Sequence, residues 1–134
     1  LKFTLALDPE LKNPVFVFRT YGNYEVLRKS KVVKNAYEAV FSEDKKFVTL
    51  KTDNQNLVNA FGFAACGLTL NVEKDISQVG CSAWKAVAIC HQDHDLLALD
   101  ESGKLYFGER PADNDMCTAD KRPTKLTPPT VKVQ

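Results

Sequence analysis

The segment His91-Gln92-Asp93-His94-Asp95 brings both histidines of the chain together with two carboxylates. Imidazole and carboxylate groups are ligands for zinc and copper, and a histidine beside a carboxylate can serve as a general base. The spacing matches no specific metal motif, such as the i, i+4 histidine pair of a metalloprotease helix. Because turns favour Asp and other polar residues, we interpret the segment as a solvated polar turn and expect neither a metal nor another cofactor.

Nucleophilic catalysis has little support from the rest of the chain. A Ser or Cys nucleophile needs a base and an orienting group, His91 and His94 are the only histidine bases, and there is no G-x-S-x-G elbow. We therefore expect a protein that is not an enzyme. The alternative from this segment is a small secreted hydrolase that uses the His91–Asp95 loop.

The densest basic stretch is Arg-Lys-Ser-Lys-Val-Val-Lys at positions 28–34, and two tyrosines precede it. One interpretation is a solvated face or a protected edge strand, since lysines commonly blunt sheet edges. The other is a binding surface, because tyrosine and arginine are favoured at hot spots. The predicted binding residues are Tyr21, Tyr24, Arg28, Lys29 and Lys31, and the amide-rich loop at 53–59 is a further candidate.

Charge and hydropathy restrict the classes of partner. The chain has 134 residues with 18 basic and 17 acidic side chains, a net charge of +1, which gives little long-range attraction for nucleic acid. No apolar run approaches the roughly 18 residues that a membrane-spanning helix needs. The sequence begins at Leu1 without a leader segment, and we interpret it as a processed or trimmed chain.

Four cysteines, Cys66, Cys81, Cys90 and Cys117, all lie in the second half of the chain. They lack the close C-x-x-C spacing of most zinc sites, so we predict two disulfides and therefore a secreted, extracellular protein. Among the three pairings, Cys81–Cys90 with Cys66–Cys117 is slightly preferred. The alternative is four buried free thiols in a cytosolic protein.

Alternating or continuous apolar residues predict many short strands. The candidates are residues 1–7, 15–18, 24–41, 47–51, 57–63, 68–72 and 84–90, the last as a central strand, with a short helix at 35–40 as the alternative within 24–41. The clearest hairpin joins 95–100 to 104–109, with Gly103 suited to the left-handed position of its turn. A further edge strand is expected at 130–133.

This pattern predicts a mainly β fold, an antiparallel β-sandwich or β-barrel with disulfides and at most one short helix. We expect a single domain over residues 1–134, with the proline-containing tail 111–134 packed on it. Aromatic residues are expected to fill the core rather than line a ligand cavity. They are Trp84 and the phenylalanines at 16, 18, 41, 47, 61 and 63.

The run Gly67-Leu68-Thr69-Leu70, then Ala83-Trp84 before Cys90, and Cys117 before a short tail, is loosely similar to the C-terminal part of fungal cell-wall and surface proteins. The resemblance covers under half of the chain, the cysteine spacing departs from it, and it transfers no residue roles. It implies a secreted fungal or host-interacting protein.

We therefore expect a secreted non-enzymatic binding protein, such as an effector, surface antigen or toxin-like virulence module. Its partner would be a protein or glycan at a cell surface or on a host target. Besides the hydrolase, the alternative is a small-ligand carrier of the β-barrel type, in which the phenylalanines would line a void.

Overall fold

A computed structural model describes residues 1–130, and its fold is mainly β, which confirms the predicted fold class. The described part contains one α-helix, α1 (Gln55–Ala60), and 3-10 turns at Ala64–Cys66 and Ala119–Lys121. The strands are β1 (Lys2–Ala6), β2 (Pro14–Tyr21), β3 (Tyr24–Lys29), β4 (Tyr37–Ser42), β5 (Lys45–Leu50), β6 (Glu73–Asp75), β7 (Gln92–Leu99) and β8 (Leu105–Phe107).

These strands form two open antiparallel sheets, with the strand orders β1-β2-β5-β6 and β3-β4-β7-β8. Since the described strands lie in two open sheets, they do not form the closed barrel that was the other predicted arrangement. The chain also divides into two compact units, each built around one sheet. The first unit comprises residues 1–22 and 43–91, and the second comprises residues 23–42 and the chain from residue 92 onward.

The core of the first unit is aromatic, as the sequence predicts. The side chains of Phe16, Phe18 and Phe63 are buried, and the Trp84 ring stacks on Phe18 with a centroid distance of 4.8 Å. Phe16 meets Phe63 edge to face at 5.3 Å, so these rings contact one another directly. The predicted core role of Trp84 is therefore confirmed.

Two disulfides are present, but the preferred pairing was wrong. Cys66 bonds Cys81 with a Cα–Cα distance of 5.4 Å, and Cys90 and Cys117 are disulfide-bonded as well. The amide of Cys81 donates to the carbonyl of Trp84, and the amide of Trp84 donates to the carbonyl of Cys81. This tight turn directs Cys81 into the core cluster beside Cys66. Separation along the sequence favoured Cys81–Cys90, whereas the fold places Cys81 in the core cluster against which Cys66 packs.

Two predicted strands of the first unit were wrong for local reasons. Residues 57–63 were expected to be extended, but α1 begins at Gln55 because the Asn54 side chain caps the amides of Asn56 and Leu57. Within residues 84–90, Trp84 forms an isolated bridge with Cys81, and a turn follows in which the amides of Ile89 and Cys90 both donate to the carbonyl of Ala86. The candidate at 68–72 contributes only an isolated bridge between Leu70 and Leu50.

In the second unit, β7 lies between β4 and β8, and β3 forms one edge of the sheet. The helix alternative at 35–40 was wrong, since β4 begins at Tyr37. The C-terminal segment runs along the outer edge of β8, where the amides of Thr127 and Thr130 donate to the carbonyls of Phe107 and Leu105. Apart from Thr130, the strand expected at 130–133 lies outside the described residues.

Candidate functional site

Residues 92–95 of the histidine-containing segment form the start of β7, directly after His91, and are not the polar turn that the sequence predicted. Asp93 and Asp95 are buried on one face of this strand, and each has partners that compensate for its burial. Asp93 binds the guanidinium of Arg110 at 2.6 Å, whereas Asp95 accepts backbone hydrogen bonds from Leu96 and Gly108 at 2.7 and 3.0 Å. A polar strand is stable here because every acidic side chain that enters the interior is matched by a donor.

His94 projects from the opposite face of β7, because successive side chains of a strand alternate between faces. Its Nδ1 atom lies 3.5 Å from the Arg122 guanidinium. Burial, followed by the charge of Arg122, lowers the pKa of His94, while burial raises the pKa of Asp95. The two groups therefore do not form the histidine–carboxylate pair that a hydrolase would use. Within residues 1–130, no group of three or more His, Cys, Asp or Glu residues has a metal-binding arrangement.

The five predicted binding residues fall in both units. Tyr21 ends β2 in the first unit, where the Arg19 guanidinium lies over the Tyr21 ring at 5.0 Å and over the Phe47 ring at 5.2 Å. Arg19 also forms an ion pair with Glu73. Tyr21 is therefore part of a separate aromatic and arginine cluster. Its partners Arg19 and Phe47 were not among the predicted binding residues.

The other four predicted residues lie in the second unit, on β3 and in the loop that follows it. Tyr24 is 69% exposed and stacks on Phe41 of β4 at 6.0 Å, and Phe41 in turn contacts Phe107 of β8 at 6.3 Å. Arg28 is engaged in a cross-strand ion pair with Glu38 at 2.9 Å. Lys31 is exposed in the loop.

A groove of about 680 Å³ lies between the β3–β4 hairpin and the β7–β8 hairpin, which turn at the same end of the second sheet. The residues that give the groove its chemical character are Lys29, Lys34, Tyr37, Leu99, Glu101 and Tyr106. Lys29 is the only residue of the predicted set that lines it. A volume of this size is typical of sites for small ligands or short segments of a partner.

Local hydrogen bonds shape both walls of the groove. In the β3–β4 loop, the Ser30 hydroxyl accepts from the Val33 amide at 3.0 Å, and the Ser30 amide donates to the Ala36 carbonyl at 2.8 Å. In the β7–β8 loop, Gly103 has a φ of +79°, and its amide donates to the Asp100 carbonyl at 3.0 Å. The second hairpin and the left-handed conformation of Gly103 are thus confirmed.

The walls carry charges of opposite sign. Lys29 and Lys34 come from the first hairpin and Glu101 from the second, and none of the three forms an ion pair within the described part of the chain. Asp100 is also anionic, since hydrogen bonds from the Ser102 side chain and the Lys104 amide, with others, lower its pKa to about 2. The hydrogen bond to Asp100 in turn raises the pKa of Tyr106.

Sequence reasoning missed most of this groove because its residues come from two distant hairpins. Lys34 belongs to the basic stretch and Tyr37 lies three residues beyond it, but Glu101 and Tyr106 have no visible connection to that stretch in the sequence. The adjacency of β4 and β7 brings the two loops together. The other candidate, the loop at 53–59, mostly forms the start of α1 in the first unit.

Comparison with known proteins supplies no assignment: no family model matches the chain, and no curated protein is significantly similar to it. The resemblance to fungal cell-wall and surface proteins therefore stays an expectation. Within the described residues, no helix is long and apolar enough to cross a membrane.

Proposed function

We propose that this chain is a secreted, non-enzymatic binding protein that holds a short segment of a protein partner in the groove of its second unit. The observation that supports this most directly is the juxtaposition of Lys29 and Lys34 on one hairpin wall with Glu101 on the other, since none of these charges has an ion-pair partner among residues 1–130. Charges left without ion-pair partners at a concave surface are available to an external ligand.

The chemistry of the groove favours a peptide over a neutral glycan. A peptide with an acidic and a basic side chain a few residues apart would satisfy both walls at once, while a neutral sugar has no use for either charge. Tyr37 and Tyr106 both line the groove, one from each hairpin, and tyrosine is a rigid, amphipathic residue that suits recognition of protein partners. A glycan is the second candidate, supported by the tyrosine rings alone.

Secretion is proposed from the disulfides. Cys66 is bonded to Cys81, Cys90 and Cys117 are each in a disulfide, and no cysteine is free. Disulfides of this kind persist in oxidising compartments. A partner at a cell surface or on a host target fits such a location, which is the setting of an effector or surface antigen.

Two rival functions have less support. A hydrolase that uses the His91–Asp95 segment would need a histidine close to a carboxylate, but His94 and the two aspartates lie on opposite faces of β7. A β-barrel carrier would need phenylalanines around a void, whereas Phe16, Phe18 and Phe63 pack on one another and on Trp84.

The proposal can be tested by selecting ligands from a displayed peptide library and from a glycan array in parallel. We expect enriched peptides with acidic and basic residues a few positions apart. The variant Lys29→Glu/Lys34→Glu should lose these peptides, because it turns the cationic wall anionic. The matched control is Lys2→Glu/Lys12→Glu, which makes the same change in net charge at exposed lysines of the first unit.

Equal retention of the peptides by both double variants would contradict the proposal. Selection of neutral glycans alone, with no enriched peptide, would replace the protein partner by a carbohydrate. Circular dichroism on each variant separates loss of binding from loss of fold.

A further inference from the structure

Among residues 1–130, no strand pairs with the outer edge of β3. All six residues of the strand are exposed, and they include large apolar side chains, with Tyr24 at 69%, Val26 at 47% and Leu27 at 44%. At the opposite edge of this sheet, the chain itself covers β8 with hydrogen bonds to the carbonyls of Leu105 and Phe107. An uncovered strand edge offers backbone donors and acceptors to another strand.

The sequence of β3 is complementary to itself in the antiparallel direction. Suppose that the strand pairs with a second copy about a two-fold axis between residues 26 and 27. Each residue at one end of the strand then lies opposite a residue of complementary type at the other end of the second copy. The pairs across the axis are Tyr24 with Lys29, Glu25 with Arg28, and Val26 with Leu27. The outer pairs are thus a ring with a cation and a carboxylate with a guanidinium, both attractive combinations.

Directly opposed side chains must also share a face of the joint sheet, and a bulge in β3 makes this possible. The pairing of β3 with β4 shifts between Val26 and Arg28, so Leu27 is an extra residue. Tyr24 and Lys29 oppose Phe41 and Tyr37, which lie on one face of β4. Glu25 and Arg28 oppose Val40 and Glu38, which lie on the other face. In a regular strand, neither pair would share a face.

Alternative registers lack this complementarity. A shift by one residue in one direction would oppose Glu25 to Lys29, and a shift in the other would oppose Tyr24 to Arg28. In both cases, the opposed side chains lie on different faces of the sheet. The register centred between Val26 and Leu27 is therefore the one in which charge and side-chain direction agree.

From this agreement, we propose that a second copy of the chain pairs with β3 along its edge, and that the two second-unit sheets continue as one eight-stranded antiparallel sheet. The two-fold axis is perpendicular to the sheet, so the contact is isologous. Arg28 would lie between Glu38 of its own chain and Glu25 of the other copy, and a guanidinium has enough donors for both. An edge of six residues is a small interface, so the dimer is concentration-dependent.

Sedimentation velocity from low micromolar to near-millimolar concentration tests the dimer without any ligand. The wild-type chain should shift from the monomer to the dimer sedimentation coefficient. Glu25→Arg should stay monomeric, because the new arginine of each copy would lie opposite Arg28 of the other copy, and the two positive charges repel. Glu10→Arg is the matched control, the same charge change at an exposed residue of the first unit, and should dimerise like the wild type.

A charge-swap rescue tests the register itself. Arg28→Glu alone should also be monomeric, whereas an equimolar mixture of Glu25→Arg and Arg28→Glu chains should form a heterodimer, since each strand then meets its opposite charge. If Arg28→Glu does not fold without its ion pair to Glu38, the comparison of Glu25→Arg with Glu10→Arg still decides the case. A wild-type chain that stays monomeric near millimolar concentration, or a Glu25→Arg chain that dimerises like wild type, would overturn the proposal.

Discussion

The hydroxyl of Tyr106 donates a hydrogen bond of 2.9 Å to Oδ2 of Asp100, which ties the wall of the groove to the turn that shapes it. The other oxygen, Oδ1, accepts from the amides of Ser102 and Lys104, both at 2.9 Å, and from the Ser102 hydroxyl. One carboxylate therefore organises the β7–β8 loop and holds a tyrosine of the candidate binding surface in place.

This arrangement predicts a pH dependence of stability. The pKa of Asp100 is lowered from 3.8 to about 2, so its stabilising effect is complete above about pH 4 and is lost as the pH falls towards 2. The variant Asp100→Asn should be less stable than the wild type at neutral pH, and the difference should shrink over this acid range. Chemical denaturation of both proteins between pH 2 and 7 measures the difference in their free energies of unfolding. A difference that does not change with pH would contradict the role of the Asp100 charge.

The left-handed conformation of Gly103 predicts a second effect on the same hairpin. No atom lies within 4 Å of the position that a Cβ would take, so any cost of substitution comes from the backbone alone. Gly103→Val should destabilise the protein by about 1–2 kcal/mol, since a β-branched residue resists a φ of +79°. Gly103→Asn is the matched control and should cost less, because Asn tolerates this region. Equal unfolding midpoints for the two variants would contradict the assignment.

A buried ion pair in the first unit gives a third prediction. The ammonium of Lys46 lies 2.7 Å from Glu43 and also donates to the carbonyls of Lys85 and Cys90 at 3.0 and 2.7 Å. Lys46→Met keeps the apolar stem but removes a donor that three acceptors share, of which those of Glu43 and Cys90 belong to buried residues. We expect a loss of about 3–5 kcal/mol in the free energy of unfolding. Lys45→Met, at an exposed neighbour, is the control and should change stability little.

The disulfide between Cys66 and Cys81 closes a loop with a sequence separation of 15 residues. Its removal by Cys66→Ser/Cys81→Ser should lower the free energy of unfolding by about 3 kcal/mol, mainly because the unfolded chain becomes less constrained. Thiol titration of the denatured, unreduced wild type should detect no free thiol. A reading of two or more thiols, or a double variant as stable as the wild type, would contradict the assigned bonding.

The sequence predicted the parts of the fold that depend on local pattern and turn chemistry. The hairpin around Gly103, the strands at 47–51 and 15–18 and the presence of disulfides all follow from neighbouring residues. It failed where a tertiary partner overrides the local pattern, as at His91–Asp95, where Arg110 and the Gly108 amide stabilise buried carboxylates. Residues 57–63 are different, since the capping residue Asn54 was visible in the sequence but was interpreted as part of a polar loop.

The candidate site was harder to predict than the fold for the same reason. Lys29 was identified from the density of basic residues, whereas Tyr37 joins it through the pairing of β3 with β4, and Tyr106 through the pairing of β4 with β7 and of β7 with β8. The sequence also predicted Tyr21 as a binding residue, but Tyr21 belongs to the first unit and the groove to the second. Residue type and proximity in sequence can suggest a binding surface, but strand order assembles it.

The most direct test of the account is the affinity of the best selected peptide for Tyr37→Ala and Tyr21→Ala, measured by titration calorimetry. Both tyrosines are exposed to a similar degree, 42% and 49%, but only Tyr37 lines the groove. We predict that Tyr37→Ala weakens binding about tenfold or more, as expected for a hot-spot aromatic residue, and that Tyr21→Ala binds like the wild type. Loss of binding in Tyr21→Ala with wild-type affinity in Tyr37→Ala would contradict the assignment of function to this groove.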